Sequence, residues 1–234
     1  MSPAALEVVE DPARACAAML VSAAAAGGDI VLAGGSTPRA AYEGLVATAG
    51  AVKLSLDATT FWFGDERCVP PDDARSNYRM VREALLNPLG PEACATVHRI
   101  EGERGDDDAA DAYETELRQA ARPPFELVLL GLGPDGHTAS LFPGQPSLDE
   151  RERLAVGVPE AGLEPFVPRV TLTLPALAAA RQVVFLVSGA SKADAVVAAF
   201  GPGARPDPRV PASLLPPLAD ETIVLLDRAA AQKL

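Results

Sequence analysis

Phe125–Leu130 reads FELVLL, and it runs straight into Gly131-Leu132-Gly133-Pro134-Asp135-Gly136-His137-Thr138-Ala139-Ser140-Leu141-Phe142-Pro143-Gly144. A short, almost wholly apolar run that ends in a glycine-rich turn describes a strand buried on both faces, the kind found in a parallel sheet. The pattern recurs on either side. Asp29–Ala33 (DIVLA) ends in Gly34-Gly35-Ser36-Thr37-Pro38, and Thr59–Gly64 (TTFWFG) ends in Asp65-Glu66-Arg67. Gln182–Val187 (QVVFLV) ends in Ser188-Gly189-Ala190-Ser191-Lys192, Val170–Leu174 alternates VTLTL, and Thr222–Leu226 (TIVLL) is the last run. Helices are predicted between them. Asp11–Ala26 has Asp11 as N-cap and Pro12 at the first helical position. Arg39–Ala47, Ser76–Leu86 with Ser76 as cap, Asp107–Ala121 with an acidic first turn, and a helix ending at Phe200 complete the set. Strands alternating with helices predict an α/β fold: three layers, α/β/α, around a mostly parallel, doubly wound sheet. Ligands of such sheets bind outside the carboxyl ends of the strands.

Composition narrows the partners. The 234 residues carry a formal net charge of -12, which argues against nucleic acid and anionic membranes as partners. The long-range field also repels anionic ligands. A local cluster of donors can still hold one, because salt screens the field beyond about 8–10 Å. There are 17 arginines but only three lysines, Lys53, Lys192 and Lys233, so a lysine inside a motif is informative. The three cysteines, Cys16, Cys68 and Cys94, are scattered and form no C-x-x-C pair, which fits a reducing compartment without disulfides or zinc. The apolar run near the N-terminus follows Glu7, Glu10, Asp11 and Arg14 and does not read as a secretory leader. No apolar run reaches the roughly 18 residues that would suggest a membrane span. No internal repeat is present, and the proline-rich stretch Gly201–Pro217 reads as a surface loop.

The strand ends carry the chemistry. Gly34-Gly35-Ser36-Thr37 offers close backbone approach, two hydroxyls and the free amides of the next helix, a combination suited to phosphate. In Asp65-Glu66-Arg67, the arginine can fork onto a phosphate or carboxyl oxygen, and Asp65 can orient a hydroxyl or that arginine. Gly131–Gly136 matches G-x-G-x-x-G in letters. A dinucleotide site is nevertheless excluded, because Pro143 cuts the following helix short and the acids near position 150 sit in a charged run. No Walker A motif occurs. His137 is one of two histidines. It is expected to open a short helical turn, and a helix N-terminus favours the neutral imidazole that a general base requires. His98, in Val97-His98-Arg99, reads as structural. Lys192 falls in the first turn of its helix, where a bound anion would offset an unfavourable dipole contact. Arg169 is a further donor.

Together these stretches resemble the glucosamine-6-phosphate isomerase/6-phosphogluconolactonase family. The resemblance rests on LAGGSTPRAAYEGL, FWFGDERCVPPDDARSNYRM, ELVLLGLGPDGHTASLFPG, RVTLTLPALAAARQVVFLVSGASKADAV and PASLL, in that order from Leu32 to Leu215. It implies the three-layer fold of that family over 1–234 as a single catalytic domain. It also implies hydrolysis of 6-phosphoglucono-1,5-lactone to 6-phosphogluconate in the oxidative pentose phosphate pathway, with no cofactor and no metal. His137 would be the general base, with Asp135, Arg67 and Asp65 beside it. Gly34, Gly35, Ser36, Thr37, Arg169 and Lys192 would hold the phosphate. The expected partner is a small phosphorylated sugar lactone, and the expected setting is the cytoplasm, as a monomer or weak homo-oligomer. Two rivals remain open: an isomerase or deaminase using Asp65 to move a proton between C1 and C2, and a non-catalytic sugar-phosphate sensor.

Overall fold

The apolar runs become the strands of one sheet. A computed structural model describes residues 4–52, 54–90 and 95–234; Lys53 and Cys94 lie outside them. The first half contains β1 (Ala5–Val8), α1 (Pro12–Ala26), β2 (Gly28–Leu32), α2 (Ser36–Val52), β3 (Thr59–Phe63) and β4 (Asp65–Arg67). Then α3 (Asn77–Val81) passes through a π-turn at Arg82–Leu86 into α4 (Asn87–Leu89), followed by β5 (Thr96–Val97) and α5 (Asp106–Ala120). The second half holds β6 (Phe125–Leu130), β7 (Ala155–Val158), β8 (Arg169–Leu172), α6 (Leu174–Ala178), β9 (Ala180–Val187), α7 (Ala193–Phe200) and β10 (Thr222–Leu226). Asp11 and Ser76 cap their helices as predicted, accepting the amides of Arg14 (3.0 Å) and Arg79 (3.1 Å). No helix among the described residues is long and apolar enough to cross a membrane.

Seven strands form the main sheet in the order β1-β10-β9-β6-β2-β3-β5, and every neighbouring pair is parallel. The chain winds outward from β2 through β3 to β5, and from β6 through β9 to β10 in the other direction. The order therefore reverses between β2 and β6, and the crevice at their carboxyl ends is where this architecture places a ligand. Successive residues of β3 face opposite sides. Trp62 packs against Tyr113 of α5, with ring centroids 5.9 Å apart, and Phe63 packs against Tyr78 of α3 at 6.0 Å. Helices thus cover both faces, giving the expected three layers.

A second sheet was not foreseen. β4, β8 and β7 pair antiparallel, with Asp65 opposite Thr171 and Arg67 opposite Arg169. The charged residues Asp65-Glu66-Arg67 beyond β3 are therefore a strand of their own, and the VTLTL stretch supplies its partner. Gly201–Pro217 also differs from a plain surface loop. It includes a 3-10 turn at Pro211–Leu214, buries Ala212, Ser213 and Leu215, and donates the Ala212 amide to the Gly136 carbonyl (3.0 Å).

Two buried tyrosines finish the strand ends where the ladders stop. The Tyr42 hydroxyl accepts the Ala33 amide (2.9 Å) and donates to the Ala33 carbonyl (2.8 Å). Tyr113 does the same for Phe63, at 2.8 and 3.0 Å. Replacing either by Phe leaves a buried amide and carbonyl unpaired. Tyr42→Phe and Tyr113→Phe are each expected to lose about 1–3 kcal/mol of stability. Urea unfolding should show this as a lower midpoint with an unchanged slope.

Candidate active site

The end of β2 supplies the first wall. α2 begins at Ser36, three residues earlier than predicted, so Ser36 and Thr37 are themselves its first turn. Their amides have no intrahelical acceptor, and Pro38 has no amide at all. Gly35 adopts a φ of 112°, which favours glycine. Gly34 is fixed by a different constraint: a Cβ there would collide with the side-chain amide of Asn77.

That asparagine belongs to a buried network built on β4. Asn77 Nδ2 donates to the Asp65 carbonyl (3.0 Å) and to its Oδ1 (3.1 Å), while Ser140 Oγ donates to Asp65 Oδ2 at 2.6 Å. Both carboxylate oxygens of Asp65 are thus engaged. Glu66 points the other way along the strand. It accepts the amides of Arg67 (2.6 Å), Asn77 (2.8 Å) and Tyr78 (2.7 Å) and the Ser76 hydroxyl (2.9 Å). Burial pushes the Glu66 carboxyl pKa up, against these bonds, which favour the charged form. Arg67 returns to the cavity side. Its Nη1 donates to the Arg75 carbonyl (2.6 Å), and its Nε is buried without an acceptor among the described residues.

The loop after β6 presents the histidine. His137 Nδ1 lies 2.5 Å from Asp135 Oδ1, which also accepts the His137 amide at 3.2 Å. An ionised carboxylate only accepts, so Nδ1 carries the hydrogen and Nε2 keeps its lone pair. Gly133 leaves room for the pair, since a Cβ there would strike both the imidazole and the Asp135 carboxylate. Gly136, at φ 82°, makes the turn, and Thr138 Oγ1 closes the loop on the Gly131 carbonyl (2.9 Å). The predicted helical turn is absent. Thr138 and Leu141 instead form an antiparallel bridge around Ala139, whose φ is 47°. A positive φ at a non-glycine residue breaks the helical path, so no helix N-terminus acts on His137. Asp135 is the group that orients it.

Two more cations come from β8 and from the β9–α7 connection. Arg169 is 3 % exposed, and its Nη2 donates to the carbonyls of Leu163 and Pro165 (3.0 Å each). Its Nε is buried without an acceptor among the described residues, and desolvation lowers its pKa from the ordinary arginine value. Lys192 is half-buried and sits at the N-cap of α7. Burial lowers its pKa below the ordinary 10.5, and the charge of Asp135 opposes that shift.

A cavity of about 310 Å³ at the β2/β6 reversal gathers these groups. Gly34, Gly35, Ser36, Thr37, Asp65, Arg67, His137, Arg169 and Lys192 all line it, and Asp135 stands behind His137. Arg67, Arg169, Lys192 and one helix N-terminus bring positive groups into a lining that also holds the carboxylates of Asp65 and Glu164. The guanidinium groups of Arg67 and Arg169, both in the lining, suit an anion carrying several oxygens. His98 is elsewhere, stacked on Trp62 at 4.2 Å and 3.0 Å from Glu116, as a structural residue should be. Among the described residues no group of three His, Cys, Asp or Glu side chains is placed to hold a metal.

The sequence matches the family described as "Glucosamine-6-phosphate isomerases/6-phosphogluconolactonase" over residues 3–224. The chain belongs to this family. It is 41% identical over 215 residues to the 6-phosphogluconolactonase of Synechocystis sp., covering 88% of this chain and 85% of that one. Against the human 6-phosphogluconolactonase the identity is 42% over 208 residues, 87% of this chain and 79% of the other. The solved structure of 6-phosphogluconolactonase from Trypanosoma brucei superposes with a TM-score of 0.84 at 29% identity, covering 100% of both chains. The family's three-layer fold is the one described above.

Three residues at or beside this cavity carry little signal in the sequence. Asn77 was visible only as part of a helix start, Ser140 only as a letter after His137, and Glu164 not at all, although it lines the cavity. The one available signal was the adjacency of Ser76 and Asn77 at a predicted cap. Gly34→Ala should displace the Asn77 amide from Asp65 and lower stability by about 1–3 kcal/mol. In an Asn77→Ala background the same substitution should cost clearly less, a non-additivity measurable by denaturant titration of the four chains.

Proposed function

We propose that this chain hydrolyses 6-phosphoglucono-1,5-lactone to 6-phosphogluconate, with His137 as general base. The observation that carries the reading is the Asp135–His137 pair, set in the same cavity as Arg67, Arg169, Lys192 and the start of α2. The family membership and the names of the relatives support the same substrate.

His137 Nε2 takes a proton from a water molecule as its oxygen bonds to the lactone C1. The carbonyl oxygen becomes an oxyanion, held by donors of the cavity wall. The C1–ring oxygen bond then breaks, and the imidazolium returns the proton to the departing ring oxygen. The new carboxyl group loses its own proton to solvent. Asp135 holds the tautomer throughout and stabilises the imidazolium between the two steps. Ser36, Thr37, Arg169 and Lys192 hold the 6-phosphate, and Arg67 contacts substrate oxygens. The free thiols of Cys16 and Cys68 fit a cytoplasmic setting.

The isomerase or deaminase alternative needs a carboxylate free to shuttle a proton. Asp65, its candidate, has both oxygens bound by Asn77 and Ser140. A purely sensing role gives no use to the ordered Asp135–His137 pair.

His137→Ala should lower kcat by about 10²–10⁴-fold, with the spontaneous hydrolysis rate as the floor. Activity near that of the parent chain would remove the histidine from the chemistry. Ammonia release from glucosamine 6-phosphate should be absent. A pH series tests Lys192. Its lowered pKa means that the free site loses this positive charge, as pH rises, earlier than an ordinary lysine would. Calorimetric affinity for 6-phosphogluconate should therefore fall on the alkaline side, starting below pH 10.5. Lys192→Arg should flatten that fall, because a guanidinium stays charged.

A further inference from the structure

We propose that Asp227 is a positioning residue for Lys192. It sits outside the cavity and fixes the backbone of the loop that carries the lysine. The inference rests on the lactonase reading for the role of Lys192, and on hydrogen bonds for everything else.

β10 and β9 pair in register, Leu226 opposite Val187, so Asp227 is level with the first residue beyond the strand on the other side. Here the backbone ladder stops and the side chain takes over. The Gly189 amide donates to both carboxylate oxygens of Asp227, at 3.1 and 2.9 Å. The Gly189 carbonyl in turn accepts the Lys192 amide at 3.1 Å. Two hydrogen bonds therefore connect the carboxylate to the lysine backbone. Gly189 adopts a φ of 96°, a conformation only glycine takes readily, so its amide direction needs an external hold. Asp227 is itself fixed, because its Oδ1 also accepts the Ala230 amide at 2.7 Å. A second tether lies on the far side of the lysine, where Lys233 Nζ contacts both oxygens of Asp194 at 2.7 and 2.8 Å. That pair is exposed and contributes little. The Asp227 clamp is part-buried and charge-assisted, the stronger kind of bond.

A cation held in place binds an anion without first being ordered. Releasing it should weaken binding without touching the proton transfer at His137. Asp227→Ala is expected to raise Kd for inorganic phosphate and for 6-phosphogluconate, and KM for the lactone, by about 3- to 10-fold, the usual cost of ordering a long side chain and its loop. Its kcat should stay close to that of the parent chain. Asp227→Asn keeps an acceptor oxygen and should restore most of the affinity. In a Lys192→Ala background, Asp227→Ala should change Kd no further. Calorimetry reads the Kd values and lactone turnover the kinetic split. Should Asp227→Ala not fold, Asp227→Ser serves, since it keeps a capping oxygen for Ala230 but falls short of Gly189. An unchanged phosphate Kd in the folded variant would overturn the proposal. So would a kcat loss as large as the affinity loss, or an equal loss in the Lys192→Ala background. Lack of lactone turnover by the parent chain would instead overturn the lactonase reading, and the phosphate Kd values would still test Asp227.

Discussion

The site depends on two adjacent carboxylates facing opposite ways. Strand alternation in β4 sends Asp65 toward the cavity and Glu66 away from it. Glu66 gathers the amides that open α3 and so fixes the helix that carries Asn77. Asp65 then receives that Asn77 amide from one side and the Ser140 hydroxyl from the other. Three segments distant in sequence, β4, α3 and the turn after His137, are thereby locked at one point. Burying two acids this closely is costly unless every oxygen is bonded. Here backbone and side-chain donors meet that demand, and Arg169 adds a nearby opposite charge.

Much of this was legible in the sequence because the apolar strands are long and end abruptly. FELVLL, DIVLA and TTFWF each announce a buried strand, and the residues just beyond them are the cavity wall. What stayed hidden is instructive. Asp65-Glu66-Arg67 looks like a solvated loop because its burial is made possible by partners ten or more residues away, such as the Ser76 hydroxyl and the Asn77 amide. The turn after His137 looks helical by composition, and only the positive φ of Ala139 shows otherwise. Asn77 and Ser140 are ordinary residue types, and nothing local marks them. The ten site residues named from sequence nevertheless converge, because all lie at carboxyl ends of strands or in the connections that follow, apart from Arg169, which β4 pairing brings in.

The charge distribution resolves an apparent conflict. An acidic chain repels anions at long range, yet its cavity gathers Arg67, Arg169 and Lys192 around a helix N-terminus. Most acidic side chains lie outside this corner, and many are paired on the surface, as Glu83 is with Arg79 and Glu103 with Arg99. Salt screens the distant acidic groups beyond about 8–10 Å, so donors in direct contact can still hold an anion. Long-range steering of an anionic ligand toward the cavity is therefore weak, and recognition rests on short-range geometry.

The reversal of strand order also bears on how the molecule folds. β2 meets its neighbour β6 through Ile30 opposite Leu127, and β1 closes on β10 through Ala5 opposite Ile223. Such pairings join distant stretches of chain, a topology that slows folding because loop closure precedes the contacts that offset it. The loops after β2 and β6, which flank the cavity, belong to opposite sides of the β2–β6 seam. The cavity exists only where β2 and β6 are paired, so a phosphorylated ligand recognises the chain with that seam formed. Such a ligand adds stability to the native state alone, and its affinity becomes a measure of how complete folding is.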